Sequence, residues 1–329
     1  LRDDFLRPRP IDEHPLKRRV YRVPTPSIKA VIDLVYECLF MFLGGALIHG
    51  RPRIGKSCAI DFVLTNLQAK QPTLSAFKMR CMRPQTPSES TFFASLLAAI
   101  RHPAEPSASK SSLRTRIVQR LRQVTDALSD NKVVLFIDEA QHLREIEYEW
   151  LRDLHDDLEH NDVRLFTFLI GQHQLLAQKA ALQAQDKEQI VARFMVEELA
   201  FKGLASEAEC AAVLGAYDTS GEYPAGSGWC YTRFFVPRAY SAGLRLAESA
   251  PRVWRAFEDA HFGAQLDGAP EIPMKYFTAA VEAALLTSVD TDSSTLTFPA
   301  SFWSAMVERS RYVAARRAGR SALGPLKTR

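Results

Sequence analysis

Residues 50–57 read Gly50-Arg51-Pro52-Arg53-Ile54-Gly55-Lys56-Ser57, an unbroken G-x-x-x-x-G-K-S run. An apolar stretch precedes it and a helical one follows. That punctuation demands a tight loop between a buried strand and a helix whose first amides can meet phosphate oxygens. Further along, Val133-Val134-Leu135-Phe136-Ile137-Asp138-Glu139 is an apolar strand ending in two carboxylates. A loop match alone is weak, because a glycine-rich turn can carry Lys-Ser by chance. The two elements in this order, each at a strand end, point to a nucleotide-binding α/β fold.

The chain has 329 residues, enough for one α/β domain of about 200 residues plus a smaller module. Its five cysteines, Cys38, Cys58, Cys81, Cys210 and Cys230, form no C-x-x-C and no cluster with zinc spacing. That usage favours reduced thiols and a cytoplasmic setting. Asp33, Glu37 and Gly44-Gly45 interrupt the apolar stretch 31–48. It therefore reads as a core helix followed by a core strand, and no membrane partner is expected. A chain opening on Leu1 is expected to lack its own beginning.

Five prolines in residues 1–26 leave no room for a long helix and predict an extended, basic arm. From there, alternating strand and helix patterns predict an α/β nucleotide-binding domain over 27–203, a parallel sheet flanked by helices. A smaller helical lid is expected over 204–300, with an insertion at 219–240 carrying Tyr223, Trp229, Tyr231, Phe234 and Phe235. That insertion suits either a docking loop or lid packing. Residues 301–329 read as a basic tail, with seven Lys/Arg against one acid. Residues 70–122 hold ten Lys/Arg against two acids, a net of +8, within a chain whose net charge is +4. Such segregation fits a polyanion partner or an ordinary solvated face.

In the loop, Gly50 and Gly55 let the backbone wrap phosphates, flanked by Arg51, Pro52, Arg53 and Ile54, with Cys58 just inside the helix. Lys56 is expected to face the β- and γ-phosphates and Ser57 to ligate Mg²⁺. Asp138 is expected to act through the magnesium shell, and Glu139 to activate the attacking water. Buried unpaired acids are costly, which argues against a purely structural pair. His142 reads more simply as a packing or capping residue than as a ligand. Gln172, at the end of the next apolar strand, suits a γ-phosphate sensor or a loop amide. Arg193 suits a finger reaching a neighbour's nucleotide or a surface ion pair. Arg252 is a candidate nucleotide contact, in competition with Arg245 and Arg255.

These landmarks resemble those of the AAA+ ATPases. More narrowly, they resemble the transposon-encoded target-selection ATPases of the TniB/TnsC type, related to the phage Mu B protein and found in CRISPR-associated transposons. The match rests on Ile48-His49-Gly50 through Lys56-Ser57, Met82-Arg83-Pro84, Phe136-Ile137-Asp138-Glu139-Ala140-Gln141-His142-Leu143, Leu169-Ile170-Gly171-Gln172 and Val191-Ala192-Arg193-Phe194. The resemblance implies ATP and Mg²⁺ as cofactors and homo-oligomeric rings or helical filaments around duplex DNA. It also implies a link between a target-selector protein and transposase subunits. Lys78, Arg80, Arg83, Arg114 and Arg116 are the candidate contacts to DNA phosphates, which give affinity without sequence information. Two other readings stand beside this one: a replication-initiator or clamp-loader-like ATPase, and a signalling NTPase acting as a protein-interaction switch.

Overall fold

The computed structural model describes residues 6–82, 86–102 and 110–321. The first described elements are a 3₁₀ turn, Ile11–Glu13, and a single helical turn, α1 (Pro15–Arg18). There follow α2 (Pro26–Met41), β1 (Gly45–His49), α3 (Lys56–Lys70), β2 (Ser75–Arg80), α4 (Glu89–Ala99) and α5 (Lys110–Leu128). The next elements are β3 (Lys132–Asp138), α6 (Glu145–Glu159), β4 (Arg164–Gly171), α7 (Gln174–Ala184), α8 (Glu188–Phe194) and β5 (Glu197–Ala200). The remainder is helical: α9 (Glu207–Thr219), α10 (Tyr231–Phe235), α11 (Pro237–Ser241), α12 (Ala250–Gly263), α13 (Met274–Thr287), α14 (Ala300–Arg309) and α15 (Tyr312–Ser321). The chain divides into two compact units. One holds Ile28–Pro52 and Lys56–Phe201; the other holds Leu1–Ser27, Arg53–Gly55 and Lys202–Arg329.

The five strands of the first unit form one sheet in the order β2-β3-β4-β1-β5, with every pairing parallel. Parallel strands need crossovers, and the helices between them cover both faces. The three central strands are accordingly near-continuous apolar runs, buried at every position of β1 and at all but the first of β3 and β4. Phe136 and Phe168 stack across β3 and β4 with ring centroids 5.2 Å apart. All β1 positions being buried, the stretch 31–48 is a core helix and a core strand. Among the described residues no helix is long and apolar enough to cross a membrane. The five cysteines are free thiols, four buried and Cys58 exposed.

The second unit has its own core, built on Phe257, Phe277 and Trp303 and joined by residues from the N-terminal segment. That segment is not simply an extended arm. Pro15 takes the first position of α1, where its missing N–H costs nothing. The ring of His14 is fully buried, ringed by Tyr223, Tyr231, Phe234 and Phe235 at centroid distances of 5.0, 4.8, 4.4 and 4.7 Å. Arg7 donates to the carbonyls of Phe234 and Phe235 at 2.7 and 2.9 Å. Tyr21 meets Tyr217 at 2.8 Å and Glu282 at 3.0 Å. Tyr223, Tyr231, Phe234 and Phe235 of the 219–240 stretch therefore pack around residues 7–14. Asp218 anchors this region by accepting from Thr232 Oγ1 at 2.6 Å and from the amides of Leu246 and Ala247 at 3.1 and 3.0 Å.

The basic stretch 301–329 also departs from the expectation of a tail. Its first part lies in α14 and α15, with Trp303 and Tyr312 fully buried in the second core. The positive count had masked the apolar spacing of Trp303, Met306 and Val307. Residues 322–329 lie outside the described residues.

His14 carries a testable consequence. Its Nδ1 accepts from the amide of Leu16 at 3.1 Å, while its buried Nε2 has no hydrogen-bond partner. Burial pushes its pKa down to about 4 from its usual 6.5. A depressed imidazole is neutral when folded, so the unfolded chain binds the extra proton. Its contribution is complete above about pH 6.5 and is lost as the pH falls toward about 4. Unfolding of this unit by denaturant is expected to lose about 2 kcal/mol between pH 7 and pH 5 on this account. His14→Asn, whose carbonyl can still accept from Leu16, should flatten that part of the profile. An unchanged slope in the variant would place the acid sensitivity elsewhere.

Candidate nucleotide site

β1 ends at His49 and the chain turns through residues 50–55 before α3 opens at Lys56. Gly50 is needed for a close approach: a Cβ there would sit 2.3 Å from the carbonyl oxygen of Phe201. Gly55 has φ 119°, which L side chains rarely adopt. Arg51, Pro52 and Arg53 are exposed. Lys56 Nζ donates to the carbonyls of Gly50 and Arg51, each at 2.7 Å, so the lysine folds back over its own loop. Burial lowers its pKa, and the charges of Glu139 and Asp138 oppose that shift. Ser57 and Cys58 are exposed in the first turn of α3.

On β3, Asp138 is only 4% exposed. Its Oδ1 accepts from the amide of Glu139 at 3.0 Å. Its Oδ2 faces Lys78 Nζ at 3.7 Å. Glu139 follows in the left-handed region, at φ 57°, so the chain turns sharply where the two carboxylates diverge. Glu139 Oε2 accepts from Gln141 Nε2 at 2.5 Å, and Gln141 Oε1 accepts from the amide of Gln172 at 3.0 Å. Gln178 donates to the carbonyls of Gln141 and Leu143, both at 2.9 Å, and holds this loop from α7. His142 is half-buried in the 3₁₀ turn Ala140–His142.

The strand order assembles these parts. β4 lies between β1 and β3, with His49 paired to Gly171 and Asp138 paired to Ile170. The C-terminal ends of β1, β4 and β3 therefore present the loop, Gln172 and Asp138-Glu139 side by side along one edge. Such an edge, at the carboxyl ends of parallel strands, is where ligands of open α/β sheets bind.

Three of the residues gathered here had not been singled out as parts of this site. Gln141 bridges Glu139 to the end of β4. Lys78 and Asp61 form an ion pair, with Lys78 Nζ 2.8 Å from Asp61 Oδ1 and 3.2 Å from the carbonyl of Ser57. Gln141 lies inside the Asp-Glu run, and an amide two residues beyond a catalytic-type carboxylate is the signal that could have found it. Nothing in the local pattern marks Lys78, which needs the β2–β3 pairing to reach Asp138.

The residues expected to contact DNA lie in differing surroundings. Lys78 lies against the carboxylates of Asp61 and Asp138. Arg114 is bound to Asp157 and lies 3.8 Å from Asp153, both on α6. The net positive count of 70–122 took no account of acids brought in from α3 and α6. Arg80 is exposed at the end of β2, Arg116 is half-buried, and Arg83 lies outside the described residues.

Arg193 stands apart from the phosphate edge. It closes α8, pairs with Asp156, and donates to the carbonyl of Arg152 at 3.3 Å. A Cβ on Gly44, just before β1, would lie 2.7 Å from its carbonyl oxygen. It therefore sits at the N-terminal edge of the sheet, about 17 Å from its own loop across the length of β1. Arg252 lies in the other unit, exposed on α12, donating to the carbonyl of Glu248 at 3.5 Å. Its competitors are engaged: Arg245 donates to the carbonyls of Tyr240 and Leu244 at 2.9 and 2.7 Å, and Arg255 pairs with Asp259 at 3.0 Å.

Residues 44–178 match the AAA domain family. The fold is that of an AAA+ P-loop ATPase: a five-stranded parallel sheet flanked by helices, with a helical C-terminal region. No curated protein sequence matches the chain. Among solved structures, it is similar to the Aeropyrum pernix ORC2 protein in its ADPNP–ADP complexes, at 12% identity and a TM-score of 0.47, over 86% of this chain and 73% of that one. It is similar to the Aeropyrum pernix ORC1 protein in complex with DNA, at 13% identity and a TM-score of 0.46, over 97% and 68%. It is also similar to domain III of the Thermotoga maritima replication initiation protein DnaA, at 12% identity and a TM-score of 0.46, over 93% and 99%. Within the AAA domain fall the loop, Lys78, Asp138, Glu139, Gln141 and Gln172; Arg193 falls beyond its matched span.

Proposed function

We propose that this protein is an ATP-hydrolysing regulator of DNA transposition. It assembles head to tail on duplex DNA and links a target-selector protein to transposase. The observation that carries the reading is the division of parts between two edges of one sheet. The loop, Asp138, Glu139 and Gln172 share the C-terminal edge, and Arg193 stands at the N-terminal edge. A contact that brings one copy's N-terminal edge to the next copy's C-terminal edge completes the site, and repeats as a ring or filament. The motif resemblance to the TniB/TnsC ATPases supplies the biological setting.

Within one copy, Lys56 faces the β- and γ-phosphates, and the amides at the head of α3 receive the rest of the charge. Ser57 and Asp138 fit a magnesium site. The nearly buried carboxylate of Asp138 already faces one cation, the Lys78 ammonium at 3.7 Å, and Ser57 lies exposed in the first turn of α3. P-loop magnesium takes few protein ligands and completes its shell with phosphate oxygens and water. When bound, the ion supplies charge neutralisation on the transferring phosphoryl group. Glu139 accepts the proton of the attacking water, held in orientation by Gln141, and Gln172 faces the γ-phosphate from β4. Arg193 from the neighbouring copy, released from Asp156, stabilises the transition-state charge.

Arg193→Ala is expected to bind ATP normally and to lose hydrolysis by roughly 10³-fold or more. Mixed with Glu139→Gln subunits it should regain part of the activity, because each interface then draws intact parts from two chains. Wild type with duplex DNA and a slowly hydrolysed ATP analogue should form rings or filaments by electron microscopy. Binding should be indifferent to sequence and should weaken with salt. Loss of ATP binding by Arg193→Ala would make its role a cis one. No assembly on duplex DNA under any nucleotide condition would turn the reading to a protein-interaction switch.

A further inference from the structure

Lys78 projects from β2 between α3 and the end of β3, where its ammonium faces the carboxylate of Asp138 at 3.7 Å. β2 and β3 run in register, Lys78 opposite Phe136 and Arg80 opposite Asp138. The lysine stem covers part of this edge, leaving the side chain 23% exposed, against 6% for Asp138 and 37% for Asp61. Its ammonium meets groups on two elements at once: Asp61 Oδ1 at 2.8 Å and the carbonyl of Ser57 at 3.2 Å, both on α3, and Asp138 Oδ2 at 3.7 Å on β3. A nearly buried carboxylate needs a compensating charge. Lys78 is one such charge, facing Asp138 Oδ2.

We infer that Lys78 is a tethered cation that holds the electrostatic place of the metal and sets the magnesium requirement of nucleotide binding, with Asp61 as the seat to which it withdraws. This rests on the nucleotide site proposed above. Two cations a few ångströms apart repel strongly at a site screened from water. With a divalent ion held by Ser57 and Asp138, the ammonium would be driven away from Asp138. Asp61, its nearest partner, receives it without leaving the charge unpaired. In the absence of metal, the same ammonium keeps Asp138 from repelling an incoming polyphosphate. Lys78 is thus a positioning residue that acts through Asp138, and touches no reacting atom.

The test is equilibrium binding of a fluorescent ADP analogue to the full chain, first in EDTA and then across a magnesium chloride series. Lys78→Met is expected to lower the half-saturating magnesium concentration by roughly tenfold, about the effect of removing one nearby like charge in a partly screened site. It should also weaken binding in EDTA. Lys78→Arg, which keeps the charge, should behave as wild type. Asp61→Asn removes the seat and should move the magnesium requirement the opposite way, upward, so the inference stands or falls on that variant if Lys78→Met does not fold. A magnesium requirement that is unchanged or raised in folded Lys78→Met, or unchanged in Asp61→Asn, overturns the inference and leaves the nucleotide site standing. No nucleotide binding by wild type, with or without magnesium, removes the site reading and this inference together.

Discussion

Lys56→Ala is expected to lose nucleotide binding by roughly thirtyfold to several-thousandfold, the cost of about 2–5 kcal/mol for truncating one member of a buried charge contact. The lysine sits at the head of α3 with burial depressing its pKa and two carboxylates opposing that shift. It is therefore poised to exchange its two loop carbonyls for phosphate oxygens. The fold should survive the change. One of those carbonyls, that of Arg51, lies on an exposed residue, so water can replace the ammonium there. Calorimetric titration with ATP, alongside circular dichroism of the variant, separates the two effects. Unchanged affinity in a folded Lys56→Ala protein would remove the basis of the whole site.

Glu139→Gln is expected to keep nucleotide bound and to slow hydrolysis by roughly 10²–10⁴-fold. The substituted amide can still offer an oxygen to Gln141 Nε2, so the bridge from Glu139 through Gln141 to Gln172 keeps its shape. What the amide cannot do is accept the proton of water. Assemblies on DNA should then outlast those of wild type. Single-turnover phosphate release gives the rate directly. Wild-type turnover in this variant would assign the base elsewhere, and Gln141 would then lose its positioning role as well.

The elements that hold the site were readable without a structure because they are local. A strand buried on both faces must be a near-continuous apolar run, as 133–137 is and as 165–170 is apart from Thr167. A phosphate loop must place glycines and Lys-Ser at set intervals from a helix start, as 50–57 does.

Charge was far less readable. A sum over residues 70–122 counts Lys78 and Arg114 as free cations. The fold sets each against acids distant in sequence: Lys78 against Asp61 and Asp138, Arg114 against Asp153 and Asp157. The basic stretch from 301 likewise concealed Trp303, a core residue of the second unit. A segment's charge is a property of composition, whereas the field it makes depends on which counter-charges the fold places around it.

By itself, then, the amino-acid sequence determined that this chain has a phosphate loop, an Asp-Glu strand and an α/β domain, because each is encoded by residues close together along the chain. Only the tertiary structure decided that β4 would separate β1 from β3, and so put Gln172 between the loop and Asp138. It alone decided that Gln141 would reach the end of β4, that Lys78 would face Asp138, and that Arg193 would stand at the far edge from its own loop. Strand order and long-range pairing depend on which surfaces bury each other, and no spacing along the chain records that.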